Sequence, residues 1–323
     1  MTGAVITGWG AALPPQVVTN ADLEARLDTT DAWIRERTGI LERRIGGTTT
    51  GLAVDAGREA MHRAGVTGDD VDLVVVCTTT PDRAIPSVAS AVQDQLGVAG
   101  GAMDLNAACA GFVYGLVTAF GLLSLGTLRR VLLIGSETLS RVVDWEDRNT
   151  AVLFADGAGA VVLEAVEGPG DLVGFDLGSD GATGHLLYAE LGGHLKMEGR
   201  EVFRRAVRVT VDSASLALGR AGLGPDEVDV VIPHQANLRI IDAACSRLGL
   251  PVERTVNTLD RTGNTSAASV PITLGTALDA GRIGTGDAVL LVGFGAGMSW
   301  ASAVLRWSRA TGGRAGARQE EAG

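Results

Sequence analysis

Cysteine is scarce in this sequence. The three cysteines, Cys77, Cys109 and Cys245, stand far apart with no CxxC spacing, which indicates neither a disulfide framework nor a zinc site and leaves each a free thiol. Basic residues are in deficit too: 27 Lys and Arg against 38 Asp and Glu give a formal charge of −11. That balance argues against general nucleic-acid binding, which needs a surplus of Lys and Arg on one face, although it allows a local basic patch. Long apolar runs are missing. The most apolar stretch, 111–126, is interrupted by Tyr114, Thr118 and Ser124 and falls short of the roughly 18 residues a membrane span needs, so it reads as a buried helix. No charged-then-apolar leader precedes AVITGWGAAL (4–13), which reads as a strand entering a turn, and a cytoplasmic location is the default expectation. Aromatic residues make up only 4% and prolines number 9, beside 45 glycines. With 46% hydrophobic residues, this composition excludes a disordered chain and suits a tightly packed α/β protein of one large domain or two of about 150 residues.

What is present is an alternation of strands and helices. VDLVVVCTTT (71–80), RVLLIGSET (130–138), VDVVIPHQ (228–235) and DAVLLVGFG (287–295) are continuous apolar runs of the length expected for strands buried on both faces between helices. The segment before the first run carries Ala53, Ala56, Ala60, Met61 and Ala64 at helical spacing, a small-residue face for close packing on a sheet. The chain also repeats itself. AGVTGDDVDLVVV (64–76) is matched by AGLGPDEVDVVIP (221–233), an offset of 221 − 64 = 157, and VLLIG (131–135) by VLLVG (289–293), an offset of 158. Two structurally similar halves are implied, divided near the Gly-Pro-Gly turn of EAVEGPG (164–170), at 1–166 and 167–323.

Three residues invite a chemical reading. Cys109, in NAACAGFVYGL, stands where small residues give way to a helical pattern, a position whose unpaired N–H groups and dipole favour a thiolate; an inert buried thiol is the plainer use of a lone cysteine. His234 closes the run VDVVI at the carboxyl end of a strand, where sites form in open α/β sheets; a core histidine bonded to backbone is the plainer use. Asn264 lies in the turn DRTGNTSAAS, and subtracting 157 from Ser266 gives 109, so this turn is expected to face the Cys109 loop across a pseudo-twofold axis; an N-capping Asn is the plainer use. The GFGAG loop fails as a dinucleotide fingerprint, because its spacing is G-x-G-x-G and SWASAVLRW after it reads as a strand.

Taken together, the blocks TTDAWIRERTGI with ERRI (29–45), ACAGFVYGL (108–116), DRNTAVLFADGAGAVVL (147–163), MEGREVF (197–203), PHQANLRI (233–240), GNTSAASVP (263–271) and GFGAGMSW (293–300) give a chain that resembles the β-ketoacyl-acyl-carrier-protein synthase III family. The resemblance implies a thiolase-like five-layered αβαβα fold built from two pseudo-symmetric halves, a homodimer, and no cofactor beyond its substrates. It implies Cys109, His234 and Asn264 as catalytic residues, with oxyanion donors from the backbone of Cys109, Gly295, Ala296 and Gly297; Ala296 stands where the family often has Gly. It further implies a coenzyme A site at Thr29, Trp33, Arg37, Arg148, Phe203, Ala236 and Asn237, and docking of an acidic acyl carrier protein at Arg204, Gln235 and Arg239, with Arg205, Arg208 and Arg247 adding positive charge. Ile85 stands where the family often has a bulky aromatic bounding the partner subunit's acyl pocket, and the segment 179–196 looks short, so a roomier primer site is expected. The implied reaction joins an acyl-CoA primer to malonyl carrier protein by decarboxylative Claisen condensation to start fatty-acid synthesis. A priming ketosynthase or acyltransferase of a polyketide or specialised pathway is the alternative, and a non-catalytic scaffold is disfavoured by the intact Cys-His-Asn set.

Overall fold

A computed structural model describes residues 1–308 and contains two sheets with the same internal logic. The first runs in the order Thr2–Ala12, Asp156–Glu167, Arg130–Thr138, Leu73–Cys77, Gly101–Leu105. Leu73–Cys77 is parallel to both of its neighbours, and Asp156–Glu167 is antiparallel to both of its own. The second runs Leu172–Ser179, Ser299–Arg306, Ala288–Gly295, Val230–Pro233, with strand senses in the same sequence: antiparallel, antiparallel, parallel. Where the first sheet has its fifth strand, the second has a single parallel bridge from Val231 to Thr255.

The four apolar runs form one pair of adjacent strands in each sheet, and their side chains are buried on both faces because helices cover both sides of each sheet. Val74, Val75, Val76, Leu132, Leu133, Ile134, Leu290 and Leu291 are all fully buried. Helices Gly111–Ser124 and Ser269–Asp279 fill the space between the sheets, and the largest apolar cluster joins them to residues of both sheets. Helix Gly111–Ser124 is apolar around its circumference, as a helix buried on all sides must be. On the outer face of the first sheet lies helix Thr49–Ala64, whose Ala53, Ala56, Ala60 and Met61 are buried against it. The second sheet is covered by Gly199–Ala221 and Leu238–Leu248. The result is five layers, helix, sheet, helix, sheet, helix.

The two halves meet by exchanging the same contact. Gly135, in the strand of the first half, would place a Cβ 3.2 Å from Ala268 Cα, and Gly293, its counterpart in the second, would place one 3.0 Å from Ala110 Cα. Each half seats the tight turn of the other on the glycine of its own VLLIG or VLLVG motif, which is why that motif is duplicated. The turns match in detail. Ala108 and Ser266 are the two non-glycine residues with positive φ among the described residues, at 48° and 50°, and 266 − 108 = 158. In each turn an asparagine two residues earlier accepts through Oδ1 the backbone N–H of that strained residue: Asn106 from Ala108 at 3.1 Å, Asn264 from Ser266 at 2.9 Å. The expected pairing of Ser266 with Cys109 is therefore corrected by one residue. The local offset is 158, because the second half gains a residue after the strand on which 157 was counted, and the counterpart of Cys109 is Ala267.

Candidate active site

Cys109 sits in the tight turn Ala108–Ala110 that leads into helix Gly111–Ser124, as the sequence pattern anticipates, and is 8% exposed. Its surroundings pull against the expected thiolate. Burial pushes the thiol up to about 12, and the nearby Glu137 carboxylate pushes the same way, against a hydrogen bond from Ser266 and the backbone N–H of Cys109 itself. Desolvation is the largest of these influences and favours the neutral thiol. Burial raises the thiols of Cys77 and Cys245 as well.

His234 follows strand Val230–Pro233, and its backbone N–H donates to Val292 O at 2.7 Å, locking it onto the neighbouring strand. Its Nδ1 lies 2.7 Å from Ser269 Oγ, and its ring meets Phe294 edge-on with centroids 5.3 Å apart. Burial lowers its pKa to about 3, so the ring is neutral throughout the neutral range. The backbone N–H of Gln235 also reaches Ser269 Oγ, at 3.3 Å. A hydroxyl that accepts there and gives its proton to Nδ1 leaves the ring hydrogen on Nε2, the tautomer that donates into the cavity.

Asn264 belongs to the second half but is clamped to the first: its N–H donates to Leu153 O at 2.9 Å and its carbonyl accepts from Ala155 N–H at 2.9 Å. Because Oδ1 is occupied by Ser266 N–H, the amide nitrogen is the end left for a ligand. Strand Ala288–Gly295 completes the centre. A Cβ on Gly295 would stand 2.5 Å from Cys109 N, so the strand end and the nucleophile turn are in direct backbone contact.

Cys109, His234, Asn264 and Gly295 all line one cavity of about 750 Å³. The cavity also reaches Trp33, Arg37, Phe203, Ala236 and Asn237, five of the seven residues expected to hold coenzyme A. Trp33 is flanked by guanidinium groups, Arg148 at 4.9 Å and Arg37 at 6.0 Å from its ring centroid, an arrangement suited to a flat, anionic ligand end. Asn237 caps helix Leu238–Leu248 and donates through Nδ2 to Arg37 O at 2.9 Å, tying the two walls of the mouth together. Arg148 itself donates to Asp28 O and does not line the cavity, nor does the half-buried Thr29, whose hydroxyl is buried without a partner. Ala296 and Gly297 continue the turn beyond Gly295 and are outside the lining.

The expected docking set divides. Arg239 lines the cavity mouth and stacks over Phe203 at 5.6 Å, whereas Arg204 is 74% exposed beside it on helix Gly199–Ala221 and pairs with Glu201. Gln235 is not a surface residue. It is wholly buried, its Nε2 donates to Pro233 O at 2.7 Å, and its Oε1 accepts from the N–H groups of Thr258 and Leu259 at 2.9 and 3.1 Å. Gln235 braces the loop behind His234 and offers nothing to a docking protein. Arg247 lies in the last turn of the helix that Arg239 begins, about 12 Å away along its axis, so these arginines do not form one patch. Ile85 is 86% exposed and far from lining this chain's own cavity. Sequence reasoning missed Arg200 at the mouth, although it lies inside the quoted MEGREVF block. It also missed Ser266, Ser269 and Glu137 around the nucleophile and the histidine.

Two family models match the chain: 3-oxoacyl-[acyl-carrier-protein (ACP)] synthase III over residues 103–181 and its C-terminal model over residues 218–307. A curated β-ketoacyl-[acyl-carrier-protein] synthase III of Bacillus anthracis is 49% identical over 308 residues, covering 94% of this chain and 99% of the relative. The chain belongs to the β-ketoacyl-acyl-carrier-protein synthase III family. Another synthase III, from Sinorhizobium medicae, is 47% identical and is covered over its full length. The crystal structure of the Aquifex aeolicus synthase III superposes with a TM-score of 0.92 at 43% identity, covering 95% of this chain and 100% of that one. A priming β-ketosynthase of the R1128 polyketide pathway has the same fold at 36% identity and a TM-score of 0.91. This synthase III is thus a thiolase-fold condensing acyltransferase of fatty-acid biosynthesis, and the comparisons favour that placement over the polyketide one.

Proposed function

We propose that this synthase joins an acyl-CoA primer to malonyl-acyl-carrier-protein through an acyl-Cys109 intermediate. The observation that carries the reading is the convergence of Cys109, His234 and Asn264, from three separate elements of two halves, on one cavity whose mouth holds Trp33 between two arginines. In the first half-reaction Cys109 Sγ attacks the primer's thioester carbon, the carbon–sulfur bond to coenzyme A breaks, and the thiol proton leaves with the coenzyme A sulfur. Backbone N–H groups of Cys109 and of the Gly295, Ala296, Gly297 turn hold the oxyanion. In the second, malonyl carrier protein enters, carbon dioxide departs, and its bonding electrons form an enolate that accepts hydrogen bonds from His234 Nε2 and Asn264 Nδ2. The enolate carbon then bonds to the acyl carbon, the carbon–sulfur bond to Cys109 breaks, the released thiolate takes up a proton from solvent, and the β-ketoacyl chain leaves on the carrier.

The halves 1–166 and 167–323 act as one unit, since each supplies part of the centre. Arg239, with Arg204 and Arg200 beside it, supplies the positive rim for an acidic carrier. Ile85, exposed on this chain, is placed to bound the acyl pocket of a second copy in a homodimer, and its modest size admits primers longer than acetyl. The enzyme works in the cytoplasm without a metal or a bound cofactor. Intact-mass analysis after incubation with a panel of acyl-CoAs tests the reading: it expects a thioester adduct on Cys109 that is consumed, with release of carbon dioxide, when malonyl carrier protein is added. An enzyme that turns over without that adduct refutes it.

A further inference from the structure

The mechanism above makes no use of Glu137, yet this carboxylate is one of the costliest groups in the fold. It is wholly buried near the end of strand Arg130–Thr138, beside the nucleophile turn. It receives hydrogen bonds from Thr78 Oγ1 at 3.1 Å, Thr79 N–H at 3.1 Å, Thr79 Oγ1 at 3.1 Å, Thr80 Oγ1 at 2.6 Å and Ser266 Oγ at 3.0 Å. So many donors fit an acceptor-only, ionised carboxylate, although burial draws its pKa upward.

Ser266 is where this network meets the reaction centre. Its hydroxyl donates to Glu137 Oε1 at 3.0 Å and lies near enough to the Cys109 thiol to influence it, and its backbone N–H donates to Asn264 Oδ1 at 2.9 Å. It is held in the left-handed region at φ 50°, a conformation that costs free energy for serine and persists because those bonds pin it. The pseudo-twofold relation sharpens the contrast. Glu137 is the counterpart of Gly295 at the offset of 158, and Ser266 that of Ala108. On the working side glycine faces alanine and lets the strand end touch the nucleophile turn; on the other a carboxylate accepts a hydrogen bond from a hydroxyl.

We propose that Ser266, clamped by Glu137, is the positioning residue that holds the Cys109 sulfur and the Asn264 amide in register for the two half-reactions. With its single proton donated to Glu137, the Ser266 oxygen presents a lone pair to the S–H of Cys109, which fixes the thiol rotamer. The ionisable groups around that thiol are Glu137 on its strand and, across the cavity, the neutral His234; Cys77, on the adjoining strand, also feels the charge of Glu137. The proposal rests on Cys109 and Asn264 having the roles assigned above.

The test uses the full-length enzyme and its variants Ser266→Ala, Glu137→Gln and Glu137→Asp, each checked by thermal unfolding. The readouts are the acyl-CoA acylation rate by intact mass, malonyl decarboxylation, and the pH profile of Cys109 alkylation by iodoacetamide. Ser266→Ala should lower kcat for both half-reactions roughly tenfold with little change in KM, the scale of one lost hydrogen bond, and move the alkylation midpoint to lower pH, because the acceptor that held the neutral S–H has gone. Glu137→Gln should move that midpoint to lower pH, because a buried negative charge beside the sulfur has gone, and Glu137→Asp should restore the wild-type profile. A folded Ser266→Ala enzyme with wild-type kcat and an unshifted profile overturns the proposal, and this variant decides alone if the Glu137 variants fail to fold. Wild-type enzyme that is never acylated on Cys109 would instead overturn the assignment of the nucleophile.

Discussion

Replacing Gly295 by alanine should damage acyl transfer far more than it damages the fold. The added methyl would stand 2.5 Å from Cys109 N, 3.0 Å from Ala108 Cβ and 3.1 Å from Cys109 Cβ, where ordinary contact begins at 3.4 Å. The closest obstacle is backbone, so strand and turn must separate by almost an ångström. Gly295 has φ −163°, an extended conformation open to any residue, so the damage comes from contact and not from backbone strain. The displaced groups are those that hold the oxyanion, and an error of about 1 Å in such a centre costs about 10² in rate, within the range of about 10² to 10³ for a lost oxyanion donor. Gly293→Ala provides a graded control, since its methyl would meet Ala110 Cα at 3.0 Å and Cys109 O at 3.3 Å, contacts relieved by a few tenths of an ångström. Single-turnover acylation followed by intact mass, with thermal unfolding in parallel, gives the comparison. Acylation of Gly295→Ala at the wild-type rate would refute the reasoning, and so would a Gly293→Ala enzyme impaired as badly.

Other outcomes follow from the same geometry. Cys109→Ala should abolish the acyl-enzyme while Cys77→Ala and Cys245→Ala retain it, and mass spectrometry of the adduct decides, a thioester on either of the other two being the contrary result. Asn264→Ala should keep acylation and lose condensation by about 10² to 10³; equal losses in both half-reactions would show that Asn264 is not reserved for the enolate. With His234 lowered to about 3 in the fold and near 6.5 when unfolded, the unfolded chain takes up a proton that the native one refuses. Stability should therefore fall as pH drops from 6.5 towards 3 and show no contribution from this residue above that window, and urea unfolding of His234→Gln should lose that part of the acid slope. Arg239→Glu should raise KM for malonyl carrier protein and flatten its salt dependence, with little change in acylation by small acyl-CoAs; equal losses in the two would assign Arg239 to the tunnel wall.

The buried strands were legible because residues covered on both faces must be apolar without interruption, and Cys109, His234 and Asn264, which the structure brings to one cavity, because each lies in a motif that carries the family resemblance. The repeat gave the symmetry but misplaced the register by one residue. It was counted on strands, where 157 holds, and the extra residue falls before the turn. NAACAG and NTSAAS, aligned at 158, carry the correct register and the paired asparagines as well. Glu137 was hidden inside an apolar run, where nothing in its neighbours distinguishes a buried carboxylate from a surface one at a strand end. Gln235 was misjudged for the opposite reason: a polar residue beside an active histidine looks available, and only its four backbone partners show that it is fully engaged.

The exchanged seating of the two turns has a further meaning. A centre that forms where one copy of a fold rests on another must have a twin on the far side of the axis, and here the twin can be read residue by residue. Ala267 takes the place of the nucleophile, Cys77 that of the histidine, packed against Gly111 where His234 has Ser269, and Glu137 that of the oxyanion glycine. Only Asn106 survives unchanged, still turned onto its own strained residue at the surface. The chain is in effect a fused pair with one seat furnished for chemistry and the other upholstered as core. Neither half can be expected to retain partial activity alone, because each would carry away the glycine on which the other's turn is seated.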